Sequence, residues 1–195
     1  MNNIKSILII SLLVSFISGC TSVPIPKVTK YSIDTPVTEN KKIKNINIAV
    51  LHVRSRTQFD KRNLAISPKK YVMDSYSTAQ WVENPCNMLT DDIVAYLSKK
   101  FNYVTPSSLN YNNSIDYTIS VYIDDLKHVK RDNKWFAVLT LHYEITSSKT
   151  KKIIKNNWFR EKIELADSSV QTYVNNQNKS VDKFLQQLTS EIADL

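Results

Sequence analysis

The chain of 195 residues carries 26 basic and 18 acidic side chains, a formal net charge of +8, and contains one glycine and two cysteines. Its length suits a single domain, two cysteines are too few for a disulfide framework, and a glycine-rich phosphate-binding loop is excluded. The basic balance favours anionic partners, although charge determines association rather than fold.

The first 19 residues have the organisation of a bacterial secretory signal. Lys5 supplies the positive charge and an apolar run follows it. This run of about 11 residues is too short to span a hydrocarbon core, which needs roughly 20. The run ends in Ile17-Ser18-Gly19-Cys20, which matches the lipobox of lipoprotein signal peptidase. The alternative is an ordinary signal peptide with a chance cysteine at the cut.

We therefore predict cleavage before Cys20, with a covalent diacylglycerol and N-acyl lipid on that residue and no other cofactor. Two or three acyl chains hold a protein firmly on a membrane, whereas one chain holds it weakly. Thr21 and Ser22 follow the anchor, and neither is the Asp that commonly retains lipoproteins in the inner membrane. The expected location is the periplasmic face of the outer membrane, where nucleic acid is not a partner.

Residues 20–44 contain three prolines and no apolar period, which is typical of a lipidated N-terminus followed by an extended tether. The folded domain is predicted over residues 45–195, beginning with a buried strand at 46–53. A basic loop from 54 to 68 follows. It contains the residues predicted to contact a partner or anionic lipid, unless the loop is merely solvated: Arg54, Arg56, Lys61 and Arg62.

A second strand is predicted at residues 71–76, leading to Trp81. Asn84 is placed to cap a helix that opens at Pro85 and reaches about Phe101. The three- and four-residue spacing of its apolar positions predicts one buried face, which we expect to form a core cluster with Trp81: Leu89, Ile93 and Leu97.

The second half of the chain predicts a short strand at 101–104, an alternating strand at 117–123 and a long hairpin with arms at 135–146 and 153–164. An amphipathic helix is predicted from about Ser169 to Ile192. The predicted fold class is α+β, a single domain in which two amphipathic helices pack on one face of a mainly antiparallel or mixed sheet. Without glycine after residue 19, the turns must use Asn, Asp, Ser, Lys or Pro.

The sequence contains no constellation typical of an enzyme. His52, His128 and His142 lack Cys or carboxylate neighbours at metal-ligand spacing, and no nucleophile elbow is present. The pair Asp124-Asp125 is interpreted as a solvated turn rather than as a catalytic carboxylate pair. We therefore predict no catalytic residues, no metal site and a protein that is not an enzyme.

Cys86, Trp81 and Trp158 each have two interpretations. Cys86 is either a thiol activated at a helix start or a small buried residue, and burial is favoured because free cysteines are commonly buried. The two tryptophans are either core residues or exposed partner anchors, and core packing is favoured for both.

One segment resembles a known family. Ile66-Ser67-Pro68 through Tyr71 and Tyr76, Gln80-Trp81-Val82-Glu83-Asn84-Pro85, and the spaced Leu89, Ile93 and Leu97 resemble the ABC-type transport auxiliary lipoproteins, the PqiC-like group. Tyr31-Ser32-Ile33-Asp34 is similar to an early strand of that family, which would order part of the predicted tether. The chain departs from the family pattern in its scarcity of glycines, in Cys86 after Pro85 and in its basic loop.

The resemblance implies a non-enzymatic accessory of an envelope system that moves lipids between membranes. Its implied partners are the membrane that holds the anchor and a periplasmic MCE-type protein, and a homo-oligomer is left open. The alternative is a lipoprotein activator or assembly factor for a cell-wall synthase or a secretion pore.

Overall fold

The computed structural model describes residues 26–35, 41–107 and 114–195. In these ranges the helices are α1 (Pro85–Ser98) and α2 (Val170–Ala193). The strands are β1 (Thr29–Tyr31), β2 (Lys44–Val50), β3 (Arg54–Ser55), β4 (Asn63–Ser67), β5 (Asp74–Trp81), β6 (Phe101–Pro106), β7 (Tyr117–Arg131), β8 (Lys134–Ser147) and β9 (Ile153–Glu164).

The long strand β7 organises one mixed sheet. Along one edge it pairs with β8 in antiparallel register, and β8 pairs in turn with β9. Along its other edge it pairs successively with β2, β3 and β4, all parallel. The strand β2 then pairs with β6, while β4 pairs with β5 and β5 with β1. Two groups of strands, β2-β6 and β1-β5-β4, therefore meet through β7.

Both helices cover the same face of this sheet, and the predicted fold class is confirmed. The alternation of β7 buries Ile119, Val121 and Ile123 on that face. The apolar stripe of α1 is buried in the same core, as predicted, through Leu89 and Ile93 among others. A single core thus lies between the sheet and the two helices.

The two helix starts follow the predicted capping pattern. The side-chain oxygen of Asn84 accepts a hydrogen bond from the Cys86 amide at 2.9 Å, with Pro85 in the first helical position. Ser169 Oγ accepts from the Thr172 amide at 3.1 Å. The helix α1 ends three residues before the predicted Phe101, because Phe101 begins β6 and is fully buried there.

Two predicted irregular segments are wrong. The basic loop predicted at 54–68 contains β3 and β4, and Leu64 is buried although Lys61, Arg62 and Asn63 precede it. The predicted turn at Asp124-Asp125 is part of β7, which continues to Arg131 through a register shift between Ile123 and Asp125. A bulge lets two consecutive carboxylates interrupt the alternation without ending the strand.

The described part of the predicted tether is partly ordered. Thr29–Tyr31 forms β1 and pairs with β5, and Ile33 is buried in the core. The packed structure therefore begins before the predicted boundary at residue 45, in agreement with the early strand that the family resemblance implied. Residues 20–25 and 36–40 of the predicted tether lie outside the described residues.

The described turns place four residues with side chains at positive φ: Tyr71, Asp132, Asn133 and Lys151. Asp132 and Asn133, with φ of 50° and 60°, join β7 to β8 in a tight two-residue hairpin turn. Asn and Asp tolerate this conformation better than most residues. Tyr71 was not among the residue types expected in such positions.

Candidate binding surface

The sheet has two chemically different faces. Tyr143, Phe159 and Glu161 contact α2 through Glu191, Phe184 and Lys183 respectively. Successive side chains of a strand point to opposite faces, so the neighbours of these residues point away from both helices. We call this second side of β7, β8 and β9 the outer face; it carries Tyr122, His142, Trp158 and Arg160.

Five side chains of β8 and β9 form a continuous row on the outer face, which we call the outer-face ladder: Glu144, Asn156, His142, Trp158 and Arg160. Asn156 Nδ2 donates to Glu144 Oε1 at 2.9 Å, and His142 Nε2 lies 2.8 Å from Asn156 Oδ1. The His142 ring stacks on Trp158 with 4.6 Å between centroids. The Arg160 guanidinium carbon lies 4.3 Å from the Trp158 ring centroid.

The outer-face ladder holds the Trp158 ring in one orientation while leaving it exposed to solvent. Trp158 is 39% exposed although His142 stacks on it and Arg160 lies over its ring. Trp and Arg are the residue types that most often dominate binding energy at interfaces, and little side-chain entropy remains to be lost when stacking already orients them. The arrangement is suited to binding another surface.

A shallow depression of about 150 Å³ adjoins the outer-face ladder. Arg54, Ser120, Tyr122, His142 and Glu144 contribute to its lining. Arg54 stands in β3 opposite Tyr122, and Tyr122 stands opposite His142. A volume of this size is below the roughly 300 Å³ of ordinary small-molecule pockets.

The basic residues predicted as one contact region are dispersed. Arg54 lines the depression, whereas Arg56 pairs with Asp124 at 2.9 Å. The Arg62 guanidinium donates to the Val82 carbonyl, and Lys61 lines a different depression beside Ala65 and Met73. The strands β3 and β4 separate these side chains, which is why sequence proximity did not predict their spatial relationship.

The three histidines lie apart. His52 is exposed after β2, His142 belongs to the outer-face ladder and His128 is buried. Within the ranges that the structure describes, no three His, Cys, Asp or Glu side chains are grouped so that they would hold a metal ion.

His128 lies in a buried aromatic cluster. Its ring is 4.4 Å from the Trp135 ring and 4.9 Å from the Tyr173 ring between centroids. Its Nδ1 is 2.6 Å from the Tyr76 hydroxyl, and burial raises the pKa of Tyr76 to about 12. The Tyr76 hydroxyl therefore stays protonated and donates a hydrogen bond to His128 Nδ1. The neutral imidazole then carries its own proton on Nε2. Burial lowers the pKa of His128 to about 4, against a smaller opposing effect of Asp167.

Cys86 is a buried residue, and the packing interpretation is confirmed. It is 1% exposed, and its thiol donates to Ser55 Oγ at 3.3 Å. Burial raises the pKa of the Cys86 thiol above its ordinary value, and the nearby Asp60 raises it further. A nucleophilic cysteine needs the opposite shift.

The two tryptophans differ in outcome. Trp81 is 2% exposed and shares the core with Leu89, Ile93 and Leu97, which confirms its predicted packing. The prediction that Trp158 is a core residue is wrong, because Phe159 takes the buried position on β9 and Trp158 points to the outer face. Two adjacent aromatic residues on a strand always face opposite sides, and the sequence does not show which one is buried.

The predicted lipidation site, Cys20, lies outside the described residues. Within the described ranges, neither helix combines the length and the apolar character needed to cross a bilayer.

The family model of the ABC-type transport auxiliary lipoprotein component matches residues 31–193. No curated protein sequence matches the chain. A Xanthomonas campestris protein of the family DUF330 has a crystal structure that matches with a TM-score of 0.73 at 14% identity, over 83% of this chain and 92% of that one. An uncharacterized protein matches with a TM-score of 0.69 at 11% identity, over 85% and 99%. A hypothetical protein from Chlamydia trachomatis matches with a TM-score of 0.51 at 9% identity, over 76% and 96%.

Proposed function

The chain belongs to the family of ABC-type transport auxiliary lipoproteins, and from this premise we propose that it is a non-enzymatic accessory of an MCE-type system that moves lipids between membranes. In this proposal, lipid on Cys20 anchors the chain to the periplasmic face of the outer membrane. The domain binds a periplasmic MCE-type protein through its outer face.

The observation that carries the proposal is the exposed, pre-oriented Trp158 of the outer-face ladder. A stacked tryptophan beside a guanidinium is typical of the centre of a protein interface, where it fills a pocket of the partner. The adjoining depression of about 150 Å³ is better suited to receive one partner side chain than to enclose a lipid. These features support a docking role rather than a carrier role.

The charge of the chain supports an acidic partner surface. The formal net charge is +8, and two arginines, Arg54 and Arg160, lie on the outer face beside Tyr122 and Trp158. Complementary charge accelerates association and orients the encounter more than it strengthens the final complex. The expected partner surface thus offers an apolar pocket with carboxylates at its rim.

The proposal can be tested by photo-crosslinking in cells. A benzophenone amino acid that replaces Tyr122, beside the depression on the outer face, should form an adduct with an MCE-domain protein, identified by mass spectrometry. Trp158→Ala should reduce co-purification of that protein at least tenfold, because the ring is the predicted anchor. The melting temperature should change little, since the side chain is partly exposed.

Ile43→Ala is the matched control, since Ile43 is a comparably exposed apolar residue immediately before β2. This variant should keep the partner. An adduct at position 122 with a cell-wall synthase or a secretin would refute the transport role and favour the assembly-factor alternative. If Trp158→Ala co-purifies as much MCE-domain protein as the wild type does, the outer face is not the docking surface.

A further inference from the structure

Positively charged side chains from two segments lie at one end of the sheet. The segment between β4 and β5 carries Lys69, Lys70 and Tyr71, and the end of β7 carries Lys130 and Arg131. The strands β4 and β7 run parallel, with Ser67 opposite Val129, so both connections lie at the same end. We call these five residues the cationic tip.

The charges of the cationic tip are largely uncompensated. A depression of about 400 Å³ between the two connections is lined by Lys69, Lys70, Lys130 and Arg131, with Asp132 as its one acidic residue. Among the described residues, none of these four cations lies within 4.0 Å of a carboxylate oxygen. A concave surface lined by one sign of charge attracts counter-charged groups more strongly than a flat one.

Arg131 is also held in place. Its guanidinium donates to Ser67 Oγ at 3.0 Å and to the Ser67 carbonyl at 3.3 Å, which ties the end of β7 to the end of β4. Arg131 of the cationic tip therefore has a fixed position at the end of the sheet.

An exposed aromatic residue stands among these charges. Tyr71 is 90% exposed, with φ of 64°, and the Lys70 ammonium lies 4.8 Å from its ring centroid. Met73, two residues later, is also exposed. A bulky residue rarely adopts positive φ, and it does so here in a turn that presents its ring to the solvent. Tyrosine is enriched at membrane–water interfaces, and here it directly follows two lysines.

The chain approaches the domain from the direction of this end. The strand β1 runs parallel to β5 and pairs with its last three residues, with Thr29 opposite Ala79, so the residues that precede β1 lie on the side towards the beginning of β5. Pro26 is six residues from Cys20, a separation that spans at most about 21 Å of chain. The opposite end of the sheet is remote, since the 14 residues of β8 extend over roughly 45 Å.

We propose that the cationic tip docks on the anionic leaflet that holds the lipid anchor, with its lysines and Arg131 on headgroup phosphates and Tyr71 at the interface. This inference rests on the anchoring part of the proposed function, since Cys20 must be lipidated for the tip to be held near the leaflet. It assigns lipid contact to residues other than the dispersed Arg54, Arg56, Lys61 and Arg62. It orients the sheet with the 147–152 turn farthest from the membrane.

The test uses the full-length lipoprotein reconstituted in phosphatidylethanolamine vesicles, with and without phosphatidylglycerol, and brominated lipid as a fluorescence quencher. Tyr71→Trp adds one tryptophan at the cationic tip, and Lys149→Trp adds one at the remote turn. The fluorescence of each variant is compared with that of the wild type, which has three tryptophans. The fluorescence contributed by the tryptophan at residue 71 should be quenched at least twofold more than that contributed by the tryptophan at residue 149. The quenching at residue 71 should be stronger in vesicles that contain phosphatidylglycerol than in vesicles without it.

A charge reversal gives the second measurement. Lys69→Glu with Lys70→Glu, in the Tyr71→Trp background, should abolish the effect of phosphatidylglycerol on quenching. The matched reversal Lys149→Glu with Lys152→Glu should leave it intact. The proposal would be overturned by equal quenching at residues 71 and 149. It would also be overturned if quenching at residue 71 were the same with and without phosphatidylglycerol.

Vesicle flotation and crosslinking distinguish this failure from that of the proposed function. Protein that does not float with vesicles lacks its anchor, which overturns both proposals. If the protein floats and crosslinks to its partner through residue 122, yet quenching is equal at residues 71 and 149, only the proposal for the cationic tip is overturned.

Discussion

His128 illustrates how burial changes the chemistry of one residue. The imidazole is fully buried among Tyr76, Trp135 and Tyr173, and within the described structure its Nε2 has no hydrogen-bond partner. A protonated ring would place a charge among aromatic rings and lose the hydrogen bond that Nδ1 accepts from Tyr76. The folded state therefore strongly prefers the neutral imidazole.

This preference predicts an acid-sensitive domain. The pKa of His128 falls from 6.5 to about 4 on folding, so the unfolded chain binds the extra proton between these values. Its contribution to the free energy of unfolding is complete above pH 6.5 and decreases as the pH falls towards 4. The expected loss is about 3 kcal/mol over that interval.

Urea unfolding at pH 7 and pH 4.5 measures this loss. His128→Gln keeps a hydrogen-bonding side chain without a titrating ring, and its stability should fall by clearly less over the same interval. Identical pH dependence of the variant and the wild type would assign the acid sensitivity to other titrating groups.

At the scale of elements, Trp81 links β5 to both helices. Its ring lies 6.4 Å from the Tyr173 ring of α2, and it shares the core with the apolar stripe of α1. Trp81→Ala should lower the free energy of unfolding by about 3–5 kcal/mol, as for large buried aromatic residues. Thermal and urea unfolding of the purified protein measure the change. A melting temperature equal to that of the wild type would contradict the buried role, and Trp158→Ala is the control with the exposed ring.

The elements that the sequence predicted well carry local signals. The cap at Asn84-Pro85, the period of α2 and the two arms of the β8–β9 hairpin each depend on neighbours in sequence. The strand β3 was missed because its pairing partner is β7, more than 50 residues away. The strand β4 was missed because its apolar run has only three residues, Leu64 to Ile66, and follows a basic segment. Strand formation here depends on tertiary pairing more than on intrinsic propensity.

The candidate surface was predictable only in part. Arg54 and Trp158 were both considered as contacts, but their common location on the outer face depends on the register of β3, β7, β8 and β9. A shift of one residue would exchange Trp158 and Phe159 between the faces. The cationic tip similarly requires the parallel pairing of β4 with β7, which no local pattern indicates.

For the whole molecule, the main prediction concerns attachment to the membrane. Cys20→Ser should abolish metabolic labelling with a palmitate analogue and leave an uncleaved precursor, because the lipidated thiol is required for processing. Labelled cells analysed by gel fluorescence and fractionation test this. Equal label on the wild type and Cys20→Ser would refute lipidation of Cys20, whereas Cys86→Ser should keep the label.

The central position of β7 also has a consequence for biogenesis. The strand β2 pairs with residues 117–119 and β4 with residues 127–129, so the groups β2-β6 and β1-β5-β4 cannot be joined into one sheet before Val129 is available. Non-local pairing of this kind is intrinsically slow. A nascent chain that ends before residue 117 cannot join the two groups into one sheet, so it cannot reach the folded state while its N-terminal part passes extended through a translocation channel.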